Sequence, residues 1–194
     1  SARLDDQKLR HLIATDEDEE TELKNQIKED EGLSDLHIAT YRRIVGELKV
    51  NSAVKFIKEV LEDSDEAVLI FAIHSSVVLR LKEGLSEYDP LIIVGETPMM
   101  TRDARRKMFM DAPKRRVMIL NITAGGIGLD LQKASRVIFV EFSWVPEDNG
   151  QAADRAHRIG QKNSVFVQYL VYTNSVDEAV LRSNLKKKTI TKLF

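Results

Sequence analysis

Residues 151–161 read QAADRAHRIGQ, and these residue types suit phosphate chemistry. Gln151, Asp154, Arg155 and Arg158 recur at i, i+3, i+4 and i+7, the spacing of one helix face. Ala152, Ala156 and Ile159 would form the apolar face of the same helix and seat it on a core. Two guanidiniums one turn apart, steadied by a carboxylate and an amide, can grip phosphate oxygens bidentately. In phosphoryl transfer such an arginine stabilises charge that develops on the transferred group. A solvated charged helix has the same composition, so the neighbouring segments must decide.

Upstream, ITAGGIGLD (122–130) follows the apolar run VMIL (117–120). Gly125, Gly126 and Gly128 permit positive φ and let the backbone approach a ligand closely; a tight packing turn is the alternative. On that turn the Thr123 hydroxyl can donate to a phosphate without demanding base identity. Ser75 and Ser76 follow another apolar run, where a helix N-terminus offers backbone N–H groups. Capping or phosphate contact would each explain them. His74 and His157 lack a second metal ligand at suitable spacing, and His11 and His37 are isolated, so no metal site is expected.

Trp144 and Pro146 are followed by four residues and then Gln151. With that spacing, residues 122–161 resemble motifs V and VI of the second RecA-like lobe of Swi/Snf-type DNA translocases, in helicase superfamily 2. GETPMMTR (95–102) is similar to a further segment of that lobe, and AVLIFAIHSSVVLRL (67–81) to its motif IV strand and helix. YLV (169–171), with Thr173 and Asp177, fits the segment beyond motif VI, and Lys49 falls at a lysine of the family pattern. The wording is nearest the HARP-like annealing-helicase branch. Five segments in order carry more weight than one glycine-rich turn.

The resemblance implies roles residue by residue. Arg155 and Arg158 would be catalytic arginine fingers. Gly126, Gly128, Asp130, Gln151 and Asp154 would line the nucleotide, although Asn or Thr is commoner where Asp130 stands. Ser75, Thr97, Arg102 and Thr123 would face DNA, with a surface helix position the alternative for Arg102. Trp144 and Pro146 read as a packing anchor. The cofactor would be ATP, with Mg²⁺ held through an N-terminal RecA-like lobe. That lobe brings the G-x-x-x-x-G-K-[ST] loop, which is absent from these 194 residues. Asp65-Glu66 and Asp177-Glu178 lie outside any such context. The chain alone is therefore expected to hydrolyse no ATP. Expected partners are double-stranded or branched DNA and the first lobe, with no membrane and no oligomer required. Two other readings stay open: a scaffold module with no motor partner, and a lobe of an RNA helicase.

The elements that must position these residues are legible too. VLIFA, LIIV, VMIL, VIFV and VFVQYLV are short apolar runs, as expected for strands buried on both faces. Amphipathic stretches lie between them, such as Val78, Leu81 and Leu85, or Met100, Ala104 and Met108. This βαβα order predicts an α/β fold, a mostly parallel RecA-like sheet of about six strands flanked by helices. Ser34 would cap a helix through Tyr41 and Ile44, and Asn51 and Ser52 would stand near the start of another. Residues 1–36 form a charged helical or disordered arm with a DEDEE block, and residues 37–194 the domain. The net charge of −2 hides this division: the arm has twelve acidic and five basic residues, and the remainder is at +5. A local basic surface, not the net charge, decides phosphate binding. There is no cysteine and no apolar run of membrane-spanning length. The expected location is intracellular, in a nucleus or in a nucleoid or cytoplasm.

Overall fold

Strand-forming runs separated by amphipathic helices have one economical solution, a sheet covered on both faces. A computed structural model describes residues 35–122 and 128–191. In chain order these are α1 (Asp35–Asp63), β1 (Ala67–Ala72), α2 (Ser75–Gly84), a 3₁₀ turn (Ser86–Tyr88), β2 (Leu91–Ile93), α3 (Met99–Asp111), β3 (Val117–Asn121), β4 (Ala134–Phe139), α4 (Pro146–Ala153), β5 (Phe166–Tyr169) and α5 (Val176–Thr191). The strands make one sheet in the order β2-β3-β1-β4-β5, and every neighbouring pair is parallel. Five strands thus stand among the described residues. From β1 the chain goes to the sheet edge at β2, returns through β3 beside β1, and then crosses to β4 and β5 on the other side. The switch falls between β1 and β4, whose C-terminal ends are the usual ligand side of such sheets.

Each face has its own core. α1 and α2 bring Val50, Ala53, Ile57, Val77, Val78 and Leu81 onto Val68, Ile70, Ile119 and Ile138. The opposite face packs Phe109 of α3, Leu131, Ala152, Ala156, Val176 and Val180 on Leu69, Phe71, Met118 and Phe139. Register puts Phe71, Phe139 and Tyr169 side by side on β1, β4 and β5. Their rings stack at 5.1 and 4.7 Å between centroids. Such cross-strand aromatic contacts help pin the register.

Three expectations about elements need correction. α1 is one continuous helix of 29 residues, with no new start at Asn51 and Ser52. Both of these residues are exposed, and the buried series Val50, Ala53, Ile57 and Leu61 carries the helix past them. α3 packs through Phe109 and Arg102, while Met100 and Met108 face solvent. The apolar spacing occurs on both faces of that helix, and the bulkier Phe109 takes the inside. β5 is not buried on both faces, because it is an edge strand and Phe166 and Val167 are exposed. Among the described residues no helix is long and apolar enough to cross a membrane.

Candidate functional site

α4 begins with proline at its first turn, where a missing N–H costs nothing. Asn149 ties that turn to the strand end: its Oδ1 accepts from the Ser143 N–H at 2.8 Å, and its Nδ2 donates to the Ser143 carbonyl at 2.9 Å. The helix then stops at Ala153, with Asp154 as its C-cap. Gln151, Asp154, Arg155 and Arg158 therefore do not share one helix face, contrary to the i, i+3, i+4, i+7 reading. The neighbouring chain explains the stop. The Leu131 N–H donates to the Arg155 carbonyl at 2.9 Å. Gln161 Nε2 donates to the carbonyls of Ala134 and Ala156 at 2.7 and 3.1 Å, and Gly160 turns the chain at φ 101°. Ala152 and Ala156 are buried as expected, but Ile159 is fully exposed.

The two arginines occupy different environments. Arg155 is buried, only 5 % exposed, whereas Arg158 is half exposed. Arg158 Nε lies 3.5 Å from Oδ1 of Asp130, which comes from the end of the glycine-rich turn. Asp130, and not Asp154, is thus the carboxylate beside Arg158; Asp154 and Gln151 are exposed on the other segment. Burial, followed by the charges of Arg158 and Arg102, holds the Arg155 guanidinium below its usual value. Arginine keeps its charge under such pressure, so three cations bear on one region. Gly128 is exposed, and a Cβ there would meet nothing within 4 Å. Thr123 and Gly126 lie outside the described residues.

Thr97 and Arg102 are brought together, and both are buried. Thr97 Oγ1 accepts from the Val94 N–H at 3.0 Å. Arg102 donates from Nε to the Thr97 carbonyl at 2.7 Å and from Nη2 to the Gly95 carbonyl at 2.6 Å. Arg102 is therefore no surface helix residue; it knits the turn between β2 and α3. Of the two serines, Ser75 is exposed, while Ser76 Oγ donates to Glu47 of α1 at 2.8 Å. Neither caps α2, whose N-cap is His74 and has no side-chain cap bond.

Sequence reasoning missed a polar cluster at the β1–β4 switch. The Glu141 carboxylate accepts from the N–H groups of Ile73 and His74, each at 2.9 Å, and lies 2.6 Å from His74 Nδ1. Lys49 of α1 donates to the carbonyls of Val140 and Leu170 and pairs with Asp177 at 2.6 Å. Arg42 reaches the Phe142 carbonyl at 2.6 Å and lies over the Trp144 ring, whose packing role is thereby seen. The family position of Lys49 was the one local hint, because its partners are remote in sequence.

Residues 49–160 match the family model described as Helicase conserved C-terminal domain. The chain belongs to this family. A relative in Xenopus tropicalis, the SWI/SNF-related matrix-associated actin-dependent regulator of chromatin subfamily A-like protein 1, is 37% identical over 157 residues, which is 80% of this chain and 16% of that protein. The DNA annealing helicase and endonuclease ZRANB3 of Mus musculus is 34% identical over 145 residues, 74% of this chain and 14% of that one. The chain thus spans about a sixth of these relatives. The crystal structure of the C-terminal part of the Fun30 ATPase domain aligns with TM-score 0.66 and 33% identity, over 70% of this chain and 44% of that one. The fold of this helicase C-terminal domain is accordingly the RecA-like lobe that motifs V and VI implied. In it, the arginine segment lies on one sheet face and the Lys49–Glu141 cluster at the switch point.

Proposed function

We propose that this domain is the C-terminal motor lobe of an ATP-driven translocase acting on double-stranded DNA, with remodelling or annealing of branched DNA as its task. The observation that carries the reading is the buried Arg155 beside Arg158, with Arg158 half exposed and steadied by Asp130. A region of converging guanidiniums fits a polyphosphate, since planar forks match phosphate oxygens. ATP is the substrate that would supply those phosphates, with Mg²⁺ carried by the N-terminal lobe. Arg158 reaches out to the phosphate chain, and Arg155 supports it from beneath. Gln151, Asp154, Gly126 and Gly128 would contact the same nucleotide. Ser75 and Thr123 would offer hydroxyls to the DNA backbone, and Thr97 and Arg102 hold the turn between β2 and α3 in shape. Relatives named for chromatin regulation and DNA annealing support a DNA substrate and a nuclear setting.

The test is ATP turnover by the two-lobed parent protein, with and without duplex DNA. Duplex should stimulate wild type, and Arg158→Ala should lower kcat by on the order of 10³-fold with little change in DNA affinity. The 194-residue chain alone should show no turnover. An Arg158→Ala enzyme as fast as wild type would remove the finger assignment. Stimulation by duplex RNA in preference to DNA would move the protein to the RNA helicase reading.

A further inference from the structure

Arg158 belongs to no helix or strand, since α4 ends at Ala153 and β5 begins only at Phe166. A side chain on a loose loop would have to be ordered each time a phosphate arrived, and a misplacement of about 1 Å can cost about 100-fold in rate. The loop that carries Arg158 is not loose, because Gln161 holds it at two points. The Gln161 backbone N–H donates to the Arg158 carbonyl at 3.0 Å. Its Nε2 donates to the Ala156 carbonyl at 3.1 Å and to the Ala134 carbonyl at 2.7 Å. Its Oε1 accepts from the Asn163 N–H at 2.9 Å, so both ends of the side-chain amide are engaged. Ala134 opens β4, is fully buried and belongs to the core on the arginine-bearing face. One amide thus bolts the arginine loop to the sheet.

From Arg158 to Gln161 the chain makes a β-turn closed by the first of these bonds, with Ile159 and Gly160 at its centre. Gly160 has φ 101°, the pattern of a type II turn, whose third position takes glycine or asparagine. Space alone would admit a side chain. A Cβ on Gly160 would lie 3.8 Å from Gln132 Cγ and 3.9 Å from its Nε2, which is ordinary contact. The backbone angle is therefore what calls for glycine. Ile159, the other central residue, is fully exposed and gives the turn no packing. Hydrogen bonds and one glycine hold this turn, with no core of its own, and what they fix is the backbone of Arg158.

We propose that Gln161 and Gly160 are positioning residues for Arg158. They do for its backbone what Asp130, 3.5 Å from Nε, does for its guanidinium. With both in place the arginine stands ready at one spot before the phosphates arrive, and little ordering is left for the moment of reaction. The proposal rests on Arg158 meeting the phosphate chain of ATP, and the experiment separates the two claims.

Gln161→Met keeps the length of the side chain but donates nothing. Gly160→Ala opposes the positive φ, whereas Gly160→Asn tolerates it. In the two-lobed parent protein, Gln161→Met and Gly160→Ala should each lower kcat for duplex-stimulated ATP turnover about tenfold or more, with KM for ATP within about twofold of wild type. Gly160→Asn should recover most of that rate. In the 194-residue chain, Gln161→Met should speed hydrogen exchange at the backbone N–H of position 161 about tenfold and leave the amides of β1 and β4 as they were. A kcat within about twofold of wild type in both Gln161→Met and Gly160→Ala, beside a slow Arg158→Ala, would overturn the proposal and leave the finger standing. An Arg158→Ala enzyme as fast as wild type would overturn both. Equal losses in Gly160→Ala and Gly160→Asn, or exchange that quickens through the whole sheet, would assign the two residues to the fold alone and overturn the proposal as well.

Discussion

Gly46 shows how much a single side chain can matter in this lobe. A Cβ placed there would meet Glu141 Oε1 at 2.3 Å and Cδ at 2.8 Å. Glu141 cannot swing aside cheaply, because it is held by two backbone N–H groups and by His74. Gly→Ala within a helix ordinarily gains about 1 kcal/mol. Here Gly46→Ala should instead lose about 1–3 kcal/mol through overpacking. Urea denaturation of the two proteins would decide, and a stabilised variant would mean that α1 sits further from Glu141 than described. Residue types were legible at this scale, but partners were not. QAADRAHR suggested phosphate chemistry only together with its neighbouring segments. That Asp130 rather than Asp154 faces Arg158 depends on the glycine-rich turn meeting the α4 segment in space. The same holds for Glu141 and His74, which only the pairing of β1 with β4 brings together.

At the scale of elements, Lys49 joins four of them. Its ammonium, carried by α1, takes the carbonyls of Val140 and Leu170, which follow β4 and β5, and pairs with Asp177 of α5. Burial, the largest influence, pushes the Lys49 ammonium below its usual value, while Asp177 and Glu141 push it back up. Removing it in Lys49→Met leaves Asp177 buried without its cation, at a cost of about 3–5 kcal/mol near neutral pH. The pH dependence follows from the lowered value. Between the folded value and the ordinary lysine value, near about 10.4, the unfolded chain binds more protons than the folded one. Wild-type stability should therefore rise through that window relative to Lys49→Met, and lie at its lower plateau below it. Denaturation midpoints measured at about pH 7 and about pH 10 would test the sign; a gap between the two proteins that shrinks with pH would refute it. Element types were legible because strand runs and helix spacing differ in period. Their ends and facings were less so. α1 outlasts Asn51 because its buried face continues, and α4 stops at Ala153 because Leu131 and Gln161 claim the carbonyls beyond.

The whole molecule was legible as a class, since five apolar runs in βαβ order leave few alternatives to a parallel sheet. Its order, β2-β3-β1-β4-β5, was not, because periodicity carries no information about neighbours. That order has a kinetic consequence. β1 is central, yet one of its neighbours, β4, begins only at Ala134. The half-sheet β2-β3-β1 can close with α1, α2 and α3 while β4 and β5 are still unplaced. Parallel pairings so distant in sequence form late, because loop closure precedes their reward. Pulse-labelled hydrogen exchange during refolding should find the amides of β1 and β3 protected before those of β4 and β5. Simultaneous protection would mean that the sheet forms in one step. On a ribosome the same order makes the arginine-bearing half the last to be laid down, against a template already standing. A nascent chain halted after β3 would present the bare flank of β1, a row of unpaired backbone groups with Phe71 on one face and aliphatic Val68 and Ile70 on the other. The span in which this lobe is most open to wrong partners therefore ends only when Phe139 takes its place beside Phe71.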